Sequence, residues 1–87
     1  MPVVFIPPLW QELTLGKESV TVEGRTVREA LENLERAIPG LRPRLIEGDR
    51  LRPNIRIAVD DRISALGLLE RVSRKSEIHI IAAVGGG

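Results

Sequence analysis

The sequence contains no cysteine, which excludes disulfides, thiolate metal sites and cysteine nucleophiles, and fits a reducing compartment. Aromatic residues are nearly absent: one Phe, one Trp and no Tyr, 2% of the chain. A surface that stacks nucleic-acid bases is therefore not available. There is a single histidine, His79, so no pair of imidazoles can share a metal. Charge of one sign is also missing. The 13 basic and 12 acidic side chains leave a net charge of +1, and no whole-protein field points to nucleic acid or an anionic membrane. Long apolar runs are lacking too. The start, Met1 to Trp10, is apolar but has neither the basic region nor the small-residue cleavage site of a signal peptide, and its prolines and shortness exclude a membrane span. These absences describe a soluble, cytoplasmic protein that binds no nucleic acid and crosses no membrane.

What is present is enough for one domain. At 87 residues, 43% hydrophobic and 29% charged, the chain can bury one modest core and no second one. Val3 to Ile6 is a β-rich run stopped by Pro7-Pro8, and Ser19 to Glu23 alternates apolar and polar with period two, ending at Gly24. Thr26 and Glu29 stand at capping-box spacing, so a helix starts at Val27. Val27, Ala30, Leu31, Leu34 and Ile38 form its apolar stripe; Glu32 and Arg36 are spaced as an i,i+4 pair, and Pro39-Gly40 ends it. Leu41 to Pro53 reads as a connection with a short helical turn around Arg44-Leu45. Ile55 to Val59 is a strand. Ile63 to Val72 is irregular, with Leu66, Leu68, Leu69 and Val72 as satellite core residues. Glu77 to Ile81 is the last strand.

The order β-β-α-β-β places one main helix against one face of a mixed sheet, the α+β arrangement called the β-grasp, or ubiquitin-like, fold. Residues 1–84 form this domain, and residues 85–87 form a flexible glycine tail. Strand alternation turns Val4, Ile6, Ile57, Ile78 and Ile80 inward and leaves Phe5, Arg56 and Ile81 on the open sheet face. Apolar residues grouped on an open face mark a docking surface or an ordinary exposed one, and both readings stand. His79 points away from the core. Trp10 reads as a plug at the core edge or as a partner's anchor, and the small size of the domain favours the plug. Arg42, Arg44, Arg50, Arg52 and Arg56 make one locally basic region, interrupted by Glu47 and Asp49.

Gly85-Gly86-Gly87 follows the last strand, with no helix behind it to cradle a phosphate. Glycine without a Cβ is thin enough to thread a narrow channel and places a carboxylate at the end of a pliant reach. The chain carries no convincing catalytic set of its own.

With this tail, the sequence resembles the ubiquitin-like sulfur carriers of the MoaD/ThiS family, the molybdopterin-synthase small subunit and the thiamine sulfur carrier. The resemblance rests on Ala83-Val84-Gly85-Gly86-Gly87, on Ile80-Ile81 before it, on Pro39-Gly40-Leu41-Arg42 and on Arg52-Pro53-Asn54-Ile55-Arg56-Ile57. Gly85 stands where the family ending has alanine, and Lys75-Ser76 where the family often has Gly-Asp. The Ile6-Pro7-Pro8-Leu9 start is closer to the branch serving cysteine biosynthesis.

The resemblance implies a carrier rather than an enzyme. Gly86 and Gly87 would be the activated end, and an ubiquitin-activating-like enzyme would use ATP to adenylate the Gly87 carboxylate. A sulfur donor would then leave a thiocarboxylate for a second, sulfur-accepting enzyme of cysteine, molybdopterin, thiamine or thiolated-tRNA synthesis. The chain would hold no cofactor or metal itself and would be a monomer when alone. Phe5, Arg56 and Ile81, with Val84 and Gly85, would face the partner. An ubiquitin-like modifier joined to lysines through Gly87, or an interaction module with an incidental glycine end, are the alternatives.

Overall fold

The computed structural model describes residues 1–83. Helix α1, Val27–Ala37, begins where the sequence places it: the Thr26 hydroxyl accepts the Glu29 N–H at 3.2 Å. The reciprocal half of the cap is displaced by one residue, with the Glu29 carboxylate taking the N–H of Arg25 at 2.8 Å. Val27, Ala30, Leu31 and Leu34 are buried, and each large member of this stripe stabilises the fold by roughly 1.5–3 kcal/mol through loss of water contact. Glu32 pairs with Arg28 at 3.3 Å, one turn back, and not with Arg36 as its spacing suggested; both partners are exposed, so the bond contributes little. Asn33 ties the helix to the segment just after the second strand by donating to the Glu23 carbonyl at 2.8 Å.

The helix lies against a five-stranded sheet built from β1 (Val3–Phe5), β2 (Ser19–Thr21), β5 (Ile55–Val59), β6 (Arg62–Ile63) and β7 (Glu77–Ala82). Their order across the sheet is β2-β1-β7-β5-β6. The first and last strands run parallel at its centre, with Phe5 beside His79, and every other pairing is antiparallel. The inward residues named from alternation, Val4, Ile6, Ile57, Ile78 and Ile80, are all buried, and Trp10 is closed into the core edge at 6% exposure.

The connection after α1 holds more structure than its Pro and Gly content suggested. A single-turn helix α2, Arg42–Leu45, leads into a small hairpin of β3 (Ile46–Glu47) and β4 (Arg50–Leu51). Arg52 braces it, donating to the Pro43 carbonyl and to Glu47 at 2.9 Å. Glu35 staples the end of α1 to this segment, accepting the backbone N–H groups of Arg42 at 2.7 Å and Gly40 at 2.9 Å. Those donors, Arg42 first, hold its carboxyl below the usual carboxylate range. Between β6 and β7 the satellite core is smaller than expected. Leu68 is buried and Val72 packs on the core, but Leu66 and Leu69 stand in solvent at 59% and 72% exposure. The single turn at Gly67–Leu69 can direct only one of its leucines inward.

Candidate functional site

Strand β7 is the element that delivers the chain's end. It is flanked on both sides: β1 pairs along its first half, and β5 pairs along its whole length to Ala82. One further bond, from the Ala83 N–H to the Asn54 carbonyl at 2.9 Å, extends this grip past the strand. Ala83 therefore stands in the middle of the sheet, beside the start of β5. Val84, Gly85, Gly86 and Gly87, expected to form the partner contact and the activated end, lie outside the described residues, as does the boundary between domain and tail.

Phe5, Arg56 and Ile81 do share the helix-free face of the sheet. Arg56 and Ile81 are direct cross-strand partners, and Phe5 sits beside His79, two residues before Ile81 on the same strand. Ile81 is 43% exposed. With Pro53, Asn54, Arg56 and Ala83 it lines a shallow, mainly apolar hollow of about 270 Å³ next to the exit of the tail. Arg56 is held over it by donating to the carbonyls of Pro53 and Ile55 at 3.1 and 3.3 Å.

Reading the sequence turned His79 outward onto this face but missed its partners there, and missed Ala58 and Ile63 altogether. His79 stacks on Phe5 with ring centroids 4.4 Å apart and planes 2° from parallel, and its Nε2 lies 3.2 Å from a Glu77 carboxylate oxygen. In the same row Ala58 pairs with His79 on one side and with Ile63 on the other, and Ile63 is 59% exposed. Strand alternation points Ala58 outward, but the alignment of Phe5, His79, Ala58 and Ile63 depends on which strands are neighbours. The basic region, by contrast, does not act as one patch: Arg52 and Arg56 are engaged with local carbonyls, Arg52 also with Glu47. Among the described residues, no group of three or more His, Asp or Glu side chains is placed to hold a metal, and no helix is long and apolar enough to cross a membrane.

A mixed sheet with parallel central strands and one main helix across it defines an ubiquitin-like β-grasp protein. The ThiS family model matches residues 3–87, and the chain belongs to that family. It is similar to a chain of the BexX/CysO complex of Amycolatopsis orientalis, with 30% identity, a TM-score of 0.93 and coverage of 100% of both chains. CysO of Mycobacterium tuberculosis is 27% identical at a TM-score of 0.87, over 97% of this chain and 100% of that one. Small archaeal modifier protein 1 of Haloferax volcanii is 26% identical at a TM-score of 0.78, over 99% and 98%. No curated protein sequence matches. The chain thus has the fold of the ubiquitin-like sulfur carriers, whose members are small carrier proteins.

Proposed function

We propose that this chain is a sulfur carrier whose Gly87 carboxylate is the reacting group. A carboxylate is a poor electrophile, because a nucleophile attacking it must displace an oxide. Attack of the carboxylate oxygen on the α-phosphorus of ATP releases pyrophosphate and leaves an acyl-adenylate, from which AMP departs readily. Hydrosulfide, or its equivalent on a donor, then displaces AMP, and the product is a C-terminal thiocarboxylate that donates its sulfur in a biosynthetic reaction. The activating enzyme binds the ATP. The carrier supplies a reach and a surface, and needs no acid, base or cofactor of its own.

The observation that supports this reading most strongly is the family match, which runs through β7 to Gly87 itself. The end of β7 agrees with it, since β5 and the Asn54 carbonyl hold the chain as far as Ala83 while glycines without side chains can enter a narrow channel. Phe5, Arg56 and Ile81 are the surface we assign to the activating enzyme, with Val84 and Gly85 continuing it. The chain acts as a monomer between two partners, an adenylating enzyme and a sulfur acceptor, in the cytoplasm. The second reading, a modifier joined through Gly87 to lysines of other proteins, draws on the similarity to small archaeal modifier protein 1 of Haloferax volcanii.

Intact-mass measurement separates the two. After incubation with ATP, a sulfide source and the adenylating enzyme of the same organism, the carrier reading expects the mass increase of one oxygen-to-sulfur exchange at Gly87. Protein isolated from its host would carry ladders of conjugates under the modifier reading. Deleting Gly87 abolishes either change, and an ATP-dependent product that survives this deletion would refute both.

A further inference from the structure

Three exposed leucines lie in the segment at the end of the sheet where Ala83 stands. Because β1 and β7 run parallel with Phe5 beside His79, the residues that follow β1 emerge where the residues that follow β7 emerge. That following segment, Pro7 to Lys17, presents Leu9, Leu13 and Leu15 to solvent at 68%, 41% and 93% exposure. It is not a loose loop. Backbone bonds from Trp10 to Pro7, Leu13 to Trp10, Gly16 to Gln11 and Lys17 to Thr14 fold it upon itself, with lengths of 2.7–3.1 Å. The hydroxyl of Thr14, 2% exposed, sits 3.0 Å from the Gln11 carbonyl and 2.8 Å from that of Lys17. Trp10 pins the segment to the core.

Leu15 is the most telling member. Its φ of 56° is left-handed, a conformation that side chains with a Cβ avoid and that asparagine or glycine would adopt more readily. A leucine there gains no burial within the chain to offset that conformation. An ordered segment that holds three leucines in water has the properties of a preorganised contact surface.

We infer that Leu9, Leu13 and Leu15 form a docking surface for the adenylating enzyme, separate from the sheet face. This rests on the reading of Gly87 as the reacting end. The tail sets the geometry: the four residues after Ala83 span at most about 14 Å, so an enzyme enclosing the Gly87 carboxylate must lie close against this end of the sheet. Chemistry selects which enzyme. A thiocarboxylate is itself a distinctive group that a sulfur acceptor can recognise, whereas a glycine carboxylate resembles any chain terminus and carries no side chain. The enzyme that adenylates it must identify this chain by its body, and rigid exposed leucines at this end of the sheet add to the apolar surface of that body within reach.

The test is ATP–pyrophosphate exchange by the adenylating enzyme of the same organism, measured against carrier concentration. The double substitution Leu9→Ser, Leu15→Ser is expected to raise the KM for the carrier at least about tenfold, the factor that loss of one apolar side chain's burial already produces, with kcat kept. Leu15→Asn suits the left-handed backbone, so its melting temperature should be equal to or above that of the parent while its KM rises. A structural role for Leu15 cannot produce that combination. Exchange with the parent chain but KM values within about twofold for both variants overturns the leucine surface alone. No exchange with the parent, or exchange that survives deletion of Gly87, overturns the activation reading and this inference with it.

Discussion

Replacing Ile81 by serine tests the sheet face with a magnitude the structure supplies. Ile81 is 43% exposed, and complete burial of an isoleucine side chain stabilises by roughly 1.5–3 kcal/mol, so covering what remains open contributes about 0.6–1.3 kcal/mol to a complex. At about 1.4 kcal/mol per tenfold, Ile81→Ser should raise the dissociation constant for the adenylating enzyme about three- to eightfold. The loss of strand propensity on β7 costs at most about 1 kcal/mol, and the fold should tolerate it, since a domain of this size is stable by roughly 4–13 kcal/mol. Titration calorimetry on the parent and the variant, with circular dichroism to confirm that both are folded, gives the answer. An unchanged constant for a folded variant refutes the assignment of this face. A loss beyond about a hundredfold refutes the arithmetic, because it would mean that Ile81 acts through something other than its own exposed surface.

Two further outcomes concern the fold. Gly24 approaches α1 so closely that an added Cβ would stand 2.7 Å from the Ala30 nitrogen and 2.9 Å from its Cα, and both are backbone atoms that cannot rotate away. Gly24→Ala should lower stability by about 1–3 kcal/mol in urea unfolding, the usual effect of overfilling a packed contact, and an unchanged midpoint would show that the helix and strand can separate freely. Glu35 is ionised more readily in the folded chain than its ordinary value of 4.5, owing first to the Arg42 N–H and then to that of Gly40. Its stabilising contribution is complete above about pH 4.5 and is lost as pH falls below that value through the lowered folded pKa. Glu35→Gln should flatten the decline of unfolding free energy below this pH, and two curves of equal steepness would contradict the staple.

Much of the framework was legible in short stretches of sequence because its causes are local. The start of α1 depends on Thr26 and Glu29, and both faces of the strands follow from alternation over a few residues, which is why Val4, Ile57, Ile78 and Ile80 are buried as expected. Pro39-Gly40 stops the helix for equally local reasons. Local rules failed where partners compete. Glu32 could reach Arg28 or Arg36 on the same helix face, and the leucines around Gly67 were indistinguishable by type although only Leu68 is turned inward.

By itself the sequence determined that one helix would cover one face of a mixed sheet and that a glycine end would follow the last strand. Only the tertiary structure decided which strands are neighbours. Pairing and register are settled by contacts between residues as far apart as Phe5 and His79, and no periodicity within either strand encodes that choice. The parallel pairing of β1 with β7 stacks Phe5 on His79 and sets the Leu9, Leu13 and Leu15 segment at the end of the sheet where Ala83 stands. That choice of neighbours brings apolar residues far apart in sequence to one face and one end of the sheet.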